Sequence, residues 1–113
     1  MGMRVGLSKK REKLLNLELK RIVSELKKLG VLKIILFGSL NDKTVGRNSD
    51  IDITIIRNTK KSFSQRLEDV YAKVNPRVAV DFFIYTPNEI KTLRNTNVFI
   101  HTMLEKGKIL YEA

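Results

Sequence analysis

The chain has 113 residues, no cysteine and a formal net charge of +10, from 22 Lys and Arg against 12 Asp and Glu. That length suits one domain over residues 1–113, its 42% hydrophobic and 30% charged make-up is that of a folded protein, and the lack of thiols excludes disulfides and thiolate metal sites. No apolar run approaches the roughly 20 residues needed to span a bilayer, and the basic start MGMRVGLSKK lacks a signal peptide's apolar block, so the expectation is a cytoplasmic protein without membrane contact.

The first thirty residues hold nine Lys or Arg against three Glu, so the positive excess is concentrated at the start. Such a field attracts polyanions, nucleotide phosphates and nucleic acid among them, but a Lys-rich solvated helix face explains the cluster equally simply. Nucleic acid is not the favoured partner, because the aromatic and basic interleaving that base stacking needs is missing.

Residues 8–29 carry Leu15, Leu19, Ile22, Leu26 and Leu29 at steps of four and three, with Leu14 and Val23 widening the stripe. This predicts a long first helix, stopped by Gly30. VLKIILF at 31–37 is short, branched and bounded by glycines, and reads as a strand. Gly38-Ser39 then opens a turn with one or two helical turns after it, and residues 50–57 form a second strand. Ser62-Phe-Ser-Gln65 has the form of a capping box, and Phe63, Leu67, Val70, Tyr71 and Val74 follow at helical spacing, with Phe63 and Tyr71 expected in the core. Asn75-Pro76 ends that helix. VAVDFFIY at 78–85 is a third strand. Thr86-Pro87-Asn88-Glu89 starts short helices that run to about Lys106, with His101 a surface or packing residue among them, and KILYE closes the chain as a strand packed through Tyr111. The expected fold class is α+β, a mixed sheet packed with helices; the order of its strands is not readable from this alternation.

Aspartates interrupt two of the strands. Side chains alternate along a strand, so Asp50, Asp52 and Thr54 share one side while Ile51, Ile53 and Ile55 share the other. The carboxylates of Asp50 and Asp52 then project together, with their α-carbons about 7 Å apart. Two such charges on a half-buried sheet are costly unless neutralised, and oxygen ligands of this kind suit Mg²⁺ or Mn²⁺. Asp81 sits likewise between Val80 and Phe82 in the next strand, so adjacent strands would bring three carboxylates to one place, the equipment of a metal-assisted phosphoryl displacement. A D-x-D on a strand is weak evidence alone. It gains weight from Gly38-Ser39 at the end of the preceding strand, where glycine lets backbone approach a phosphate and the hydroxyl adds a hydrogen bond.

The sequence FGS, followed after Gly38 by eleven residues to Asp50 and by SDIDI, resembles the nucleotidyltransferase superfamily typified by DNA polymerase β. The short chain and its closing Gly-Lys-Ile-Leu-Tyr look like the minimal nucleotidyltransferases (MNT), often paired with a HEPN-domain protein as toxin and antitoxin. The resemblance implies that Gly38 and Ser39 bind a nucleoside triphosphate, that Asp50 and Asp52 hold the metals, and that Asp81 is the third carboxylate, binding metal and orienting the acceptor. Relatives carry an Arg-rich segment with a glycine just after Gly-Ser. Here LNDKTVGRN displaces that glycine to Gly46, with Asp42 nearby, and Lys43 or Arg47 is expected to supply the basic contact. The implied activity is transfer of AMP from ATP, with Mg²⁺ or Mn²⁺, to a tyrosine hydroxyl of a HEPN toxin. The rival reading is an antitoxin-type binding module that neutralises its partner by complex formation alone. Only some thirty residues follow the third strand, so an acceptor supplied by another macromolecule is expected.

Overall fold

The computed structural model describes residues 2–38 and 50–113, with side chains from Lys9 onward. In chain order these residues form α1 (Gly2–Lys28), β1 (Lys33–Phe37), β2 (Ile51–Ile56), α2 (Phe63–Val74), β3 (Val80–Tyr85), α3 (Pro87–Leu93), α4 (Val98–Lys106) and β4 (Lys108–Glu112). The expected turn and short helix after Gly38 lie outside the described residues.

The strands make one mixed sheet in the order β3-β2-β1-β4. β1 runs antiparallel to both β2 and β4, while β2 and β3 are parallel, joined by the crossover through α2. This is the α+β class expected from the alternation of elements. The strands are shorter than the apolar runs that announced them. Val31 and Leu32, for instance, precede β1, with Val31 buried and the Leu32 N–H donating to the Ile56 carbonyl at 2.8 Å.

Alternation along the strands gives the sheet two unlike faces. Ile34, Leu36, Ile51, Ile53, Ile55, Val80, Phe82 and Ile84 point to one side and pack against Leu15, Leu19, Ile22 and Leu26 of α1 and Val70 and Val74 of α2. The other side carries a smaller cluster, Ile35, Phe37 and Ile56 against Ile100 and Met103 of α4. Asp52, Thr54, Asp81 and Phe83 share that second face.

Both predicted capping boxes are present, Ser62 with Gln65 and Thr86 with Glu89. Gly30, at φ +76°, stops α1 as expected, since the left-handed region is where a glycine costs least. α1 starts earlier than the stripe indicated, at Gly2 instead of residue 8, with no proline in that segment to stop it. Three side chains expected in the core lie out of it: Leu14 is 63% exposed, Phe63 55% and Tyr71 37%. On α2 the inward position belongs to Arg66. Its guanidinium is held by Glu89 at 2.8 Å and by the carbonyls of Lys61 and Ile84, so burial leaves it fully engaged. His101 is at the surface beside Glu105, and Tyr111 packs on the main core under the Lys27 ammonium, both as expected.

Candidate active site

The site is built where β1 ends and β2 begins. Phe37, the last residue of β1, pairs with Asp52. The chain then turns at Gly38, whose φ of +79° lies in the left-handed region. A Cβ at that position would stand 2.0 Å from Oδ2 of Asp52, so the glycine backbone lies directly against the carboxylate. Only glycine satisfies both the dihedral and the space. Asp52 is 1% exposed.

Across the parallel ladder Asp52 pairs with Asp81, which is exposed. Neighbouring strands lie about 4.8 Å apart, so the two carboxylates stand side by side on one face. Asp50 differs. It precedes β2, where strict alternation no longer directs the side chain, and its backbone N–H donates to the Ala79 carbonyl at 2.9 Å. Its carboxylate is taken by Arg11 of α1, with Nη2 to Oδ1 at 2.5 Å. Register therefore brings two of the three expected carboxylates into line and leaves the third in an ion pair. Among the described residues no three His, Cys, Asp or Glu side chains gather closely enough to enclose a metal ion. Ser39, Lys43 and Arg47, expected on the triphosphate, lie outside the described residues.

Sequence reasoning missed Arg11. It stands four residues before Leu15, at the point where the inward stripe of α1 runs past the apolar core, and a charged residue there meets the aspartate end of β2. It also missed the aromatic wall. Phe37, Phe83 and Phe99 meet pairwise with ring centroids 5.2–5.4 Å apart, beside Asp52 and Asp81 on the same face. Beyond Asp81, a cleft of about 440 Å³ runs along the edge of β3, lined among others by Tyr71, Asn75, Pro76 and Ala79. Burial, and after it the charge of Asp81, push the Tyr71 phenol up from its ordinary range, so it stays neutral and donates to the Val80 carbonyl.

The sequence profile of the polymerase β nucleotidyltransferase family matches residues 18–113. The chain belongs to that family. This nucleotidyltransferase also matches the crystal structure of a presumed nucleotidyltransferase from Sulfolobus solfataricus at 17% identity and a TM-score of 0.54, covering 89% of this chain and 79% of that one. At that identity the likeness speaks to the fold alone. No curated protein gives a match.

The donor set of the nucleotidyltransferase suits a small hard cation. Mg²⁺ is commonly held by one or two carboxylates together with substrate phosphates and water, and Asp52 with Asp81 offers such a pair on one face. The close approach of Gly38 leaves backbone, not a side chain, beside the carboxylate.

Proposed function

We propose that this nucleotidyltransferase transfers AMP from ATP to a hydroxyl, and that the acceptor is a tyrosine of a HEPN-domain toxin, which makes the chain an antitoxin. The observation that carries the reaction is the Asp52–Asp81 register with Gly38 laid over Asp52. The acceptor oxygen attacks the α-phosphorus, the bond from that phosphorus to the bridging oxygen of the β-phosphate breaks, and pyrophosphate leaves.

Asp52 and Asp81, with Asp50 once Arg11 has left it, are the residues that would hold Mg²⁺ or Mn²⁺. When bound, the cation would supply charge neutralisation on the triphosphate and acidity to the acceptor hydroxyl. Buried Asp52 fixes the geometry, since neither its strand nor its neighbours give it room to move. Exposed Asp81 faces arriving acceptors, orients the hydroxyl and accepts its proton. Gly38, with Ser39, offers backbone and hydroxyl contacts to the phosphates, and Lys43 or Arg47 adds positive charge.

A protein acceptor is favoured by the cleft beside Asp81. It is open and shallow, able to admit a side chain carried on another macromolecule but a poor grip for a free small molecule. The HEPN partner and its tyrosine rest on the resemblance to the minimal nucleotidyltransferases. An adenylyl group there would bring bulk and negative charge to a surface that must bind RNA. Co-expression with a HEPN partner followed by intact-mass measurement tests the reading. The expected result is a partner heavier by one or more AMP groups, and unmodified when Asp52→Asn replaces the wild type. A partner held in stable complex without any mass increase, with ATP and Mg²⁺ present, would favour neutralisation by binding alone.

A further inference from the structure

Asp50 and Arg11 are separated by 39 positions in sequence and belong to different layers, yet they form an ion pair between α1 and the start of β2. The contact is a single Nη2–Oδ1 hydrogen bond, and the two side chains are 61% and 28% exposed. It is looser than the pairs made by Arg21 and Arg66. Arg21 grips Glu18 with two nitrogens, at 2.7 and 2.8 Å, and adds the carbonyls of Val74 and Asn75. Arg66 grips Glu89 with two nitrogens and adds two further carbonyls. Among the described residues Arg11 has one acceptor, and that acceptor is a carboxylate of the proposed metal site.

We propose that Arg11 is a stand-in cation. In the metal-free protein it neutralises Asp50; it leaves when a divalent ion is bound there, and the released guanidinium then contacts the phosphates of the donor nucleotide. This rests on the metal-dependent reading above and adds a residue to it.

Three observations support the exchange. A carboxylate oxygen engaged at 2.5 Å by a guanidinium cannot at the same time serve a small cation well, so the two ligands compete. The pair is exposed and singly bonded, which makes it weak enough to open. Arg11 also lies on α1, four residues before Leu15, so the helix keeps its guanidinium within reach of Asp50 when the pair opens. A guanidinium freed beside a triphosphate finds the planar oxygen pairs that it binds best.

The test uses the full chain and two ligands whose responses have opposite signs. Mn²⁺ binding is followed by electron paramagnetic resonance in wild type, Arg11→Gln and Asp50→Asn, with thermal melting to confirm that each folds. Arg11→Gln is expected to bind Mn²⁺ alone about two- to fivefold more tightly, the competition of an exposed pair being removed. It is expected to bind ATP with Mg²⁺ about tenfold more weakly, through loss of a charge-assisted contact. Unchanged or weaker Mn²⁺ binding in Arg11→Gln, with binding lost in Asp50→Asn, would overturn the exchange while leaving the metal site standing. Tighter Mn²⁺ with unchanged ATP affinity would overturn the phosphate role. No Mn²⁺ binding by any of the three proteins would overturn both this proposal and the metal-dependent reading beneath it.

Discussion

The two faces of the sheet come from the same strands but have been put to different uses. The face toward α1 and α2 is paved with branched and aromatic side chains from three strands and two helices, and Ile34, Ile51, Ile53 and Ile55 are all 0% exposed there. The face toward α3 and α4 has a smaller apolar cluster, and two of its three β2 positions are polar, Asp52 and Thr54 ahead of Ile56. Fold stability is therefore concentrated on one side, which lets the other hold buried groups that a core would not select. Neighbouring residues of β2 should separate these two roles.

The largest effect is expected at Asp52. Asp52→Asn should lower transfer on the order of 10³-fold or more, as loss of a principal electrostatic group does, while changing unfolding free energy by less than about 1 kcal/mol. Partner mass and urea unfolding measure the two. One residue along, Ile53→Ala should do the reverse: about 2–5 kcal/mol of stability lost to a core cavity, with transfer by the remaining folded protein little changed. If Asp52→Asn unfolds the protein, or Ile53→Ala spares it, the division between the faces fails.

A third experiment concerns how the core-side layer is tied together. Glu18 is 8% exposed, and the Arg21 guanidinium, aided by the N–H of Arg77, holds its carboxyl at about 2, below the ordinary 4.5. A depressed folded-state pKa stabilises above the unfolded value and ceases to do so as pH falls through the folded one. The contribution is therefore complete above about pH 4.5 and fades toward pH 2. Glu18→Gln is expected to cost about 2 kcal/mol at pH 7 and to flatten the decline in stability between pH 4.5 and 2. An equal decline in wild type and mutant would show that the clamp does not carry it.

The smallest effect is expected at Thr54, which is 0% exposed and whose hydroxyl has no hydrogen-bond partner among the described residues. Thr54→Val keeps the shape and removes the stranded oxygen, so stability should hold or rise by about 1 kcal/mol. A loss of that size in urea unfolding would mean that the hydroxyl is bonded after all.

Much of this division was legible in the sequence. Alternation in IDITII and VDFFIY assigns each side chain to a face, and the order of helices and strands gives the fold class. The two capping boxes place helix starts to the residue because a short polar side chain there has few other partners. What escaped depends on tertiary contacts. Phe63 lies out of the core it was expected in while Arg66 of the same helix is buried, because a guanidinium with acceptors on three residues is tolerated there, and no periodicity announces those acceptors. The Asp50–Arg11 pair joins residues that no local rule couples, and the parallel pairing of β2 with β3 follows from the crossover, not from either strand. Asp52 and Gly38 were legible as candidate site residues, but the reason Gly38 is glycine, a carboxylate where its Cβ would be, needed coordinates.

The central claim is that the aspartate-bearing face holds a metal-bound triphosphate, and titration calorimetry with ATP tests it without any acceptor. The account predicts binding by wild type with Mg²⁺, binding at least tenfold weaker when the metal is chelated, and the same weakening in Asp52→Asn with the metal present. ATP binding that is indifferent to Mg²⁺ and to Asp52→Asn, or absent altogether, would contradict it.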